Sequence, residues 1–199
     1  MKNGYEKTGL ALQLRESFFG FSSEKAMSTT KLIKIMGVLA ALCIVVERTI
    51  YIPVGDTSRY SFTFVAVALS SIVLGGLKGA VVAGVADVIG SLIVYGNANP
   101  LITACVCITA INYGLFLYNK RSIPRIVLAV IVDQVICSLL LKTAALSVWY
   151  YGGMNAYPVV FMTRLVQVGV MIPLQIVVLI ILEKYLFGIV KKLVKDFVE

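Results

Sequence analysis

Long apolar runs separated by short polar links dominate the chain from residue 32 onward. A helix needs about 20 predominantly apolar residues to cross a bilayer, and six runs reach or approach that length. Glycine, proline and asparagine mark links such as "NANP", "NKRSIP" and "YGGMNAYP". The predicted spans, numbered 1 to 6 in chain order, cover about 32–50, 62–76, 79–96, 101–118, 124–150 and 158–187. The stretch "GDTSRYSFTF" is predicted to be a loop that leads into span 2 through a short extended or helical segment. The pattern predicts an all-α membrane protein, a six-transmembrane-helix bundle.

Polar segments flank this bundle. Residues 1–31 are mixed in charge and predict a cytoplasmic or interfacial segment, where "LALQLRESFFGFSSEKAM" could form a short surface helix. A tail without fixed structure is the alternative. The segment is not a signal peptide, because its charged region is too long and no cleavage site follows. Residues 32–187 form the transmembrane domain, and residues 188–199 form a basic cytoplasmic tail.

Composition supports a membrane protein and argues against an enzyme. The chain is 59% hydrophobic and 14% charged, whereas soluble domains are roughly 45–50% apolar and about 25% charged. Histidine is absent, which removes the commonest general base and metal ligand. No P-loop, catalytic triad or metal-ligand cluster occurs in the sequence. The four cysteines lie within apolar runs and are predicted to be small buried side chains: Cys43, Cys105, Cys107 and Cys137.

The distribution of positive charge predicts the orientation of the bundle. Fourteen of the eighteen lysines and arginines lie in the N-terminal segment up to Lys34, the "GGLKGA" turn, the "YNKRSIPR" turn and the C-terminal tail. These regions alternate with the loops after spans 1, 3 and 5, which hold only Arg59. Cytoplasmic loops carry the excess of lysine and arginine, so both termini are predicted to be cytoplasmic.

Four cations remain for the outer half of the bundle. Lys142 lies roughly 12 Å below the outer end of span 5, and Arg164 lies roughly 10 Å into span 6. Arg48 is near the outer end of span 1, and Arg59 is in the following loop. Nearby acids are Glu47, Asp87 and Asp133. Salt bridges inside the bundle are one explanation for these charges. The surplus of cations instead favours an outward-open pocket for an anion.

Other side chains at matching heights suit a planar heteroaromatic anion. Aromatic faces stack on a ring, carboxylates and amides bind its edge, and arginine forks bind carboxylates. The candidate binding residues are Arg48, Arg59, Ser61, Phe62, Phe64, Asp87, Tyr95, Asn112, Lys142, Trp149 and Arg164. In span 1, Gly37, Ala40 and Ala41 provide small-residue spacing that lets another helix approach closely, as packing inside the bundle or docking of a partner.

Several stretches carry a family resemblance: "LIKIMGVLAALCIVVERTI", "SRYSFTFVAVALSSIVLGGLKGAVVAGVADVIGSLI", "LITA…INYGLFLY" and "LVQVGVMIPLQIVVL". Together they span about residues 25–186. The chain resembles the substrate-binding S components of energy-coupling-factor (ECF) vitamin transporters, most closely the folate-specific type. The resemblance implies a six-helix vitamin-binding subunit in a prokaryotic plasma membrane. It also implies a membrane coupling subunit and two ATPase subunits as partners, with no cofactor in this chain because those subunits use the ATP.

The resemblance also implies roles for individual residues. Arg59, Ser61 and Phe62 correspond to pocket and gating-loop positions, Arg164 to the span 6 cation, and Gly37 and Ala41 to the docking face. Two departures touch the expected pocket. Lys142 stands where a neutral polar residue is expected, and "NANPLITA" lacks an expected aromatic residue and glycine. Both leave the vitamin open between folate, a related pterin and another anionic vitamin.

Three other functions are alternatives to a folate-specific S component. An S component for pantothenate, riboflavin or thiamine is the first alternative, although cationic thiamine fits surplus positive charge poorly. A small membrane enzyme that handles lipid phosphate would use the cations but lacks an adequate acid–base pair. A structural membrane protein without a ligand is the last alternative. No nucleic-acid partner is expected, since membrane orientation explains the basic balance.

Overall fold

Helices form wherever the apolar runs are long, because only a helix satisfies every backbone hydrogen bond within the spanning segment. The computed structural model describes residues 29–49, 51–54, 58–118, 122–151 and 153–198, and it describes side chains for 29–49, 61–93, 96–118, 122–149, 151 and 153–184. The elements are α1 (Thr29–Thr49), β1 (Tyr51–Val54), β2 (Ser58–Ser61), α2 (Thr63–Leu74), α3 (Gly76–Tyr95), α4 (Pro100–Leu117), α5 (Ile123–Val132), a π-helix (Asp133–Lys142), α6 (Thr143–Tyr150), a 3₁₀ turn (Met154–Ala156) and α7 (Tyr157–Val198).

The six predicted spans correspond to these helices. In the described part of the chain, five stretches are long and apolar enough to cross a membrane. The fifth span is built from α5, the π-helix and α6 in direct succession. Span 2 corresponds to α2, which has 12 residues and is the short one, as expected. The all-α prediction is confirmed for the spans. The predicted N-terminal surface helix lies outside the described residues.

A two-stranded antiparallel hairpin joins α1 to α2. Strands β1 and β2 pair with Tyr51 opposite Ser61 and Pro53 opposite Arg59. The sequence predicted only an extended or helical lead into span 2 here. The hairpin therefore adds a small element of sheet to the helical bundle. We call the end of the bundle that carries it the hairpin end; the other elements there are the α3–α4 link and the segment between α6 and α7.

Helix α2 is the centre of the bundle. Nine of its residues are buried, and it packs against α1, α3 and α4. Gly114 of α4 allows the closest approach, since a Cβ there would lie 2.2 Å from the Cα of Gly76 at the start of α3. Small residues thus let α3 and α4 pack closely against each other, as membrane bundles require.

Polar groups inside the bundle join neighbouring helices. The Asn112 side chain of α4 donates from Nδ2 to the Ala129 carbonyl of α5 at 2.8 Å. The Tyr113 hydroxyl donates to Asp133 Oδ2 at 3.3 Å. Buried polar groups are costly unless they are hydrogen-bonded, so these contacts fix α4 against the fifth span.

The outward faces of the helices are apolar, as the bilayer requires. Ile33, Val38 and Val45 of α1 are exposed, as are Val159 and Val166 of α7. The cysteine prediction is confirmed, because all four thiols are free; three are buried and Cys107 is half-buried. They serve as small apolar side chains.

Candidate functional site

Three charged side chains from three elements lie in the neighbourhood of one α4 residue. Asp87 of α3, Lys142 of the π-helix and Arg164 of α7 all lie close enough to the Cys105 thiol to act on it electrostatically. The sequence placed Lys142 and Arg164 at similar depth in adjacent antiparallel spans. The structure places both within electrostatic range of the same α4 residue. We call Asp87, Cys105, Lys142 and Arg164 the charged cluster.

The two cations of the charged cluster have no acidic partner at contact distance. Within the described side chains, no carboxylate oxygen lies within 4.0 Å of a Lys142 or Arg164 nitrogen. Both residues are half-buried, and Arg164 also lies within electrostatic range of Tyr151 at the end of α6. The internal salt-bridge explanation therefore does not account for this pair. Two positive groups face the bundle interior where an anion would neutralise them.

Asp87 balances only part of this charge. Its carboxylate is buried at 7% exposure and accepts a hydrogen bond from the Thr103 hydroxyl at 2.6 Å. Thr103 lies in the first turn of α4, which begins at an Asn99 cap whose side chain accepts from the Leu101 amide. The cap and the Asp87 bond together fix the start of α4 beside the charged cluster.

Arg48 occupies a separate position near the end of α1. Its Nη2 is 3.7 Å from Glu47 Oε1, and the guanidinium lies against Gly90 of α3, only 2.8 Å from where a Cβ would be. Gly90 thus makes room for the arginine. Arg48 has the acidic neighbour that Lys142 and Arg164 lack, so its charge is already partly balanced within the protein.

The hairpin carries another predicted group of site residues. Arg59 lies on β2, and its side chain is outside the described part of the chain. Ser61 forms a hydrogen bond with the Thr63 hydroxyl and accepts from the Thr63 amide at 3.2 Å. The Phe62 and Phe64 rings are 6.0 Å apart, and Phe64 is buried in the core. Ser61 therefore ends β2 and is hydrogen-bonded to Thr63, the first residue of α2, while Phe62 lies between them.

Three further predicted residues are not brought into the charged cluster by the described contacts. Asn112 bonds to α5 and lies nine residues, about 13 Å of helix rise, further along α4 than Thr103. Trp149 is 50% exposed. Tyr95 ends α3, and its side chain is outside the described residues.

The central position of Cys105 could not be seen in the sequence. In the sequence, Cys105 looks like an ordinary apolar residue. The one signal that could have connected it to Lys142 and Arg164 is its depth in span 4, which is similar to theirs.

The small residues of α1 differ in their exposure. Gly37 and Ala41 are exposed, whereas Ala40 is half-buried and packs against the core. A Cβ added at Gly37 would meet nothing within 4 Å.

The chain is similar to known transport proteins over most of its length. The model of the family described as "ECF-type riboflavin transporter, S component" matches residues 27–192. The folate transporter FolT of Clostridium novyi (strain NT) is 34% identical over 123 residues, which are 61% of this chain and 70% of that protein. A crystal structure of FolT bound with folic acid aligns with a TM-score of 0.67 and 29% identity, covering 75% of this chain and 89% of the other.

The matched region begins just before α1 and includes every span, so it contains the hairpin and the whole charged cluster. Its extent and the solved structure confirm the resemblance found in the sequence. The chain belongs to the family of ECF-type transporter S components.

Proposed function

We propose that this chain is the membrane subunit that binds folate or a related pterin vitamin with high affinity and delivers it to an ATP-driven ECF uptake transporter. The observation that carries the proposal is that Lys142 and Arg164 both lie within electrostatic range of Cys105, and that no described carboxylate is at contact distance from either cation. Similarity to a folate transporter and to a folate-bound structure supports the choice of vitamin. The chain is a transport protein and not an enzyme, as its family is.

The chemistry of folate fits the charged cluster. Its glutamate portion carries two carboxylates, which Lys142 and Arg164 would bind through charge-assisted hydrogen bonds. Its pterin ring carries amino and amide donors, and Asp87 would accept from them with the oxygen that Thr103 does not use. The hairpin with Arg59 and Phe62 would cover the bound vitamin. Displacing water from the site strengthens each of these interactions.

Riboflavin is the second candidate, because the matching family model is named for riboflavin transporters. Riboflavin has a planar ring system but no carboxylate. It would leave the positive charge of Lys142 and Arg164 unneutralised inside the bundle, which is costly. The charged cluster therefore favours the vitamin with carboxylates over the neutral one.

Equilibrium binding to the purified chain tests the proposal. We expect folate to bind and to outcompete riboflavin, and Arg164→Ala to weaken folate binding by about tenfold or more, since the loss of one partner of a buried charge pair costs 2–5 kcal/mol. Lys78→Ala is the matched control, because it removes a cation from the turn at the other end of α3. Unchanged folate affinity in Arg164→Ala would remove Arg164 from the site.

We also propose that the partner subunits are a membrane coupling subunit and two ATPases, and that the complex resides in a prokaryotic plasma membrane. The exposed, open surface at Gly37 and Ala41 of α1 supports a docking site for a helix of the coupling subunit. The alternation of basic segments supports cytoplasmic termini, which would place the ATPases on the side of the α2–α3 turn.

Co-purification tests this partnership. Gly37→Leu should abolish recovery of the two ATPases with the tagged chain while leaving vitamin binding intact, because leucine keeps the helices apart. Gly169→Leu on α7 is the matched control, since a Cβ there also meets nothing within 4 Å. Equal recovery with both variants would show that α1 is not the docking face.

A further inference from the structure

The fifth span contains a helix of an unusual kind. Ten consecutive residues, Asp133–Lys142, are π-helical. In a π-helix each amide bonds to the carbonyl five residues earlier, and such helices are rare, mostly single-turn, and frequent at functional sites. Lys142 of the charged cluster is the last residue of this segment.

Exposure along the segment follows a five-residue repeat. The exposed pairs are Val135 with Ile136 and Leu140 with Leu141, so the second exposed pair follows the first by five positions. The Thr143 hydroxyl donates to the Ser138 carbonyl, again five residues back, at 3.5 Å. An α-helix would repeat its faces every three or four residues. The side chains thus follow the same wide turn as the backbone.

This wide turn decides where Lys142 points. Lys142 follows Asp133 by nine residues, which is about two full turns at roughly 4.4 residues per turn of π-helix. At the 100° per residue of an α-helix, nine residues give about two and a half turns, which would place the two side chains on opposite faces. Asp133 is buried at 5% exposure, and Lys142 lies within electrostatic range of both Asp133 and Cys137. All three therefore share the inward face.

We infer that the π-helix is the element that turns Lys142 into the anion site, and that α-helical geometry would present Leu140 there instead. This rare helical geometry brings the Lys142 ammonium within electrostatic range of Cys105. The identity of the anion rests on the proposed function, but the direction of Lys142 does not. Residues 133–141 are thus positioning residues, which act on the ligand through Lys142.

A test that needs no vitamin measures which side chains are accessible to water. In a variant whose four native cysteines are replaced, single cysteines are placed by Lys142→Cys and Leu140→Cys. A water-soluble, charged methanethiosulfonate should modify position 142 about tenfold faster than position 140, since thiol reactivity follows exposure to water. Equal rates, or faster reaction at position 140, would overturn the assignment. Thermal melting checks that each variant is folded.

A second test uses folate. Lys142→Met should raise the Kd by about tenfold or more, and Lys142→Arg should keep it within about threefold. The double variant Leu140→Lys/Lys142→Leu moves the cation to the position that an α-helix would turn inward, and it should not restore binding. Restoration by that variant would contradict the π-helical assignment. If the wild-type chain binds no folate, the proposed function fails, while the thiol rates still decide the direction of Lys142.

Discussion

The Asp87 carboxylate of α3 accepts a hydrogen bond from the Thr103 hydroxyl of α4 at 2.6 Å. This bond joins the two helices at the hairpin end, beside Lys142 and Arg164. The same carboxylate is the one acid of the charged cluster, so its second oxygen can serve a ligand while the first holds the helices together. Under the proposed function, both the α3–α4 contact and ligand binding depend on this one side chain.

Thr103→Val tests this double role. The change keeps the shape of the side chain and leaves the buried carboxylate without its donor, which costs about 1–3 kcal/mol. We expect a lower thermal midpoint and weaker folate binding. Thr163→Val is the control, because its hydroxyl bonds only to Val160 within its own helix. Equal thermal midpoints for the two variants would show that the hydrogen bond between Thr103 and Asp87 adds no stability.

Asn112→Leu separates packing from binding. The Asn112 amide bonds to the Ala129 carbonyl, so its loss should lower stability by about 1–3 kcal/mol. Because Asn112 lies far along α4 from Thr103, the folded fraction should bind folate with nearly unchanged Kd. Denaturation and binding are measured on the same preparation. A tenfold weaker Kd with unchanged stability would instead place Asn112 against the vitamin.

Gly114→Ala tests the close approach of α3 and α4. An added Cβ would lie 2.2 Å from the Cα of Gly76, so the helices must separate, and overpacking of this kind costs about 1–3 kcal/mol. Gly169→Ala should be neutral or slightly stabilising, since its Cβ meets nothing within 4 Å and alanine favours helix. Melting temperatures of the purified variants give the comparison. Similar temperatures for both would contradict the tight α3–α4 contact.

Much of the fold could be predicted because hydrophobic length and polar links are local properties. The spans were placed within a few residues of the helices through the fifth span, and helical rise alone put Lys142 and Arg164 at one depth. The sixth was predicted to end near residue 187, whereas α7 continues to Val198. Its basic end did not mark the helix terminus, because lysine is itself a good helix former.

Other features depend on contacts between distant segments and left no local pattern. Arg48 lies against Gly90, a pairing that no spacing within one helix could indicate. The π-helix was hidden because the fifth span is apolar on most of its faces, so its sequence shows no clear period. The hairpin likewise depends on pairing across a turn that the sequence predicted only as extended or helical. The candidate site was thus predicted by depth and charge, and its actual partners were not.

The most direct measurement compares two ligands across the charged cluster: folate and the folate analogue whose two carboxylates are converted to neutral amides. Their Kd values are determined for the wild-type chain and for the Lys142→Met/Arg164→Gln variant. If the two cations bind the carboxylates, the variant should lose tenfold or more of its folate affinity and little of its affinity for the amide. Equal losses for both ligands would contradict the account.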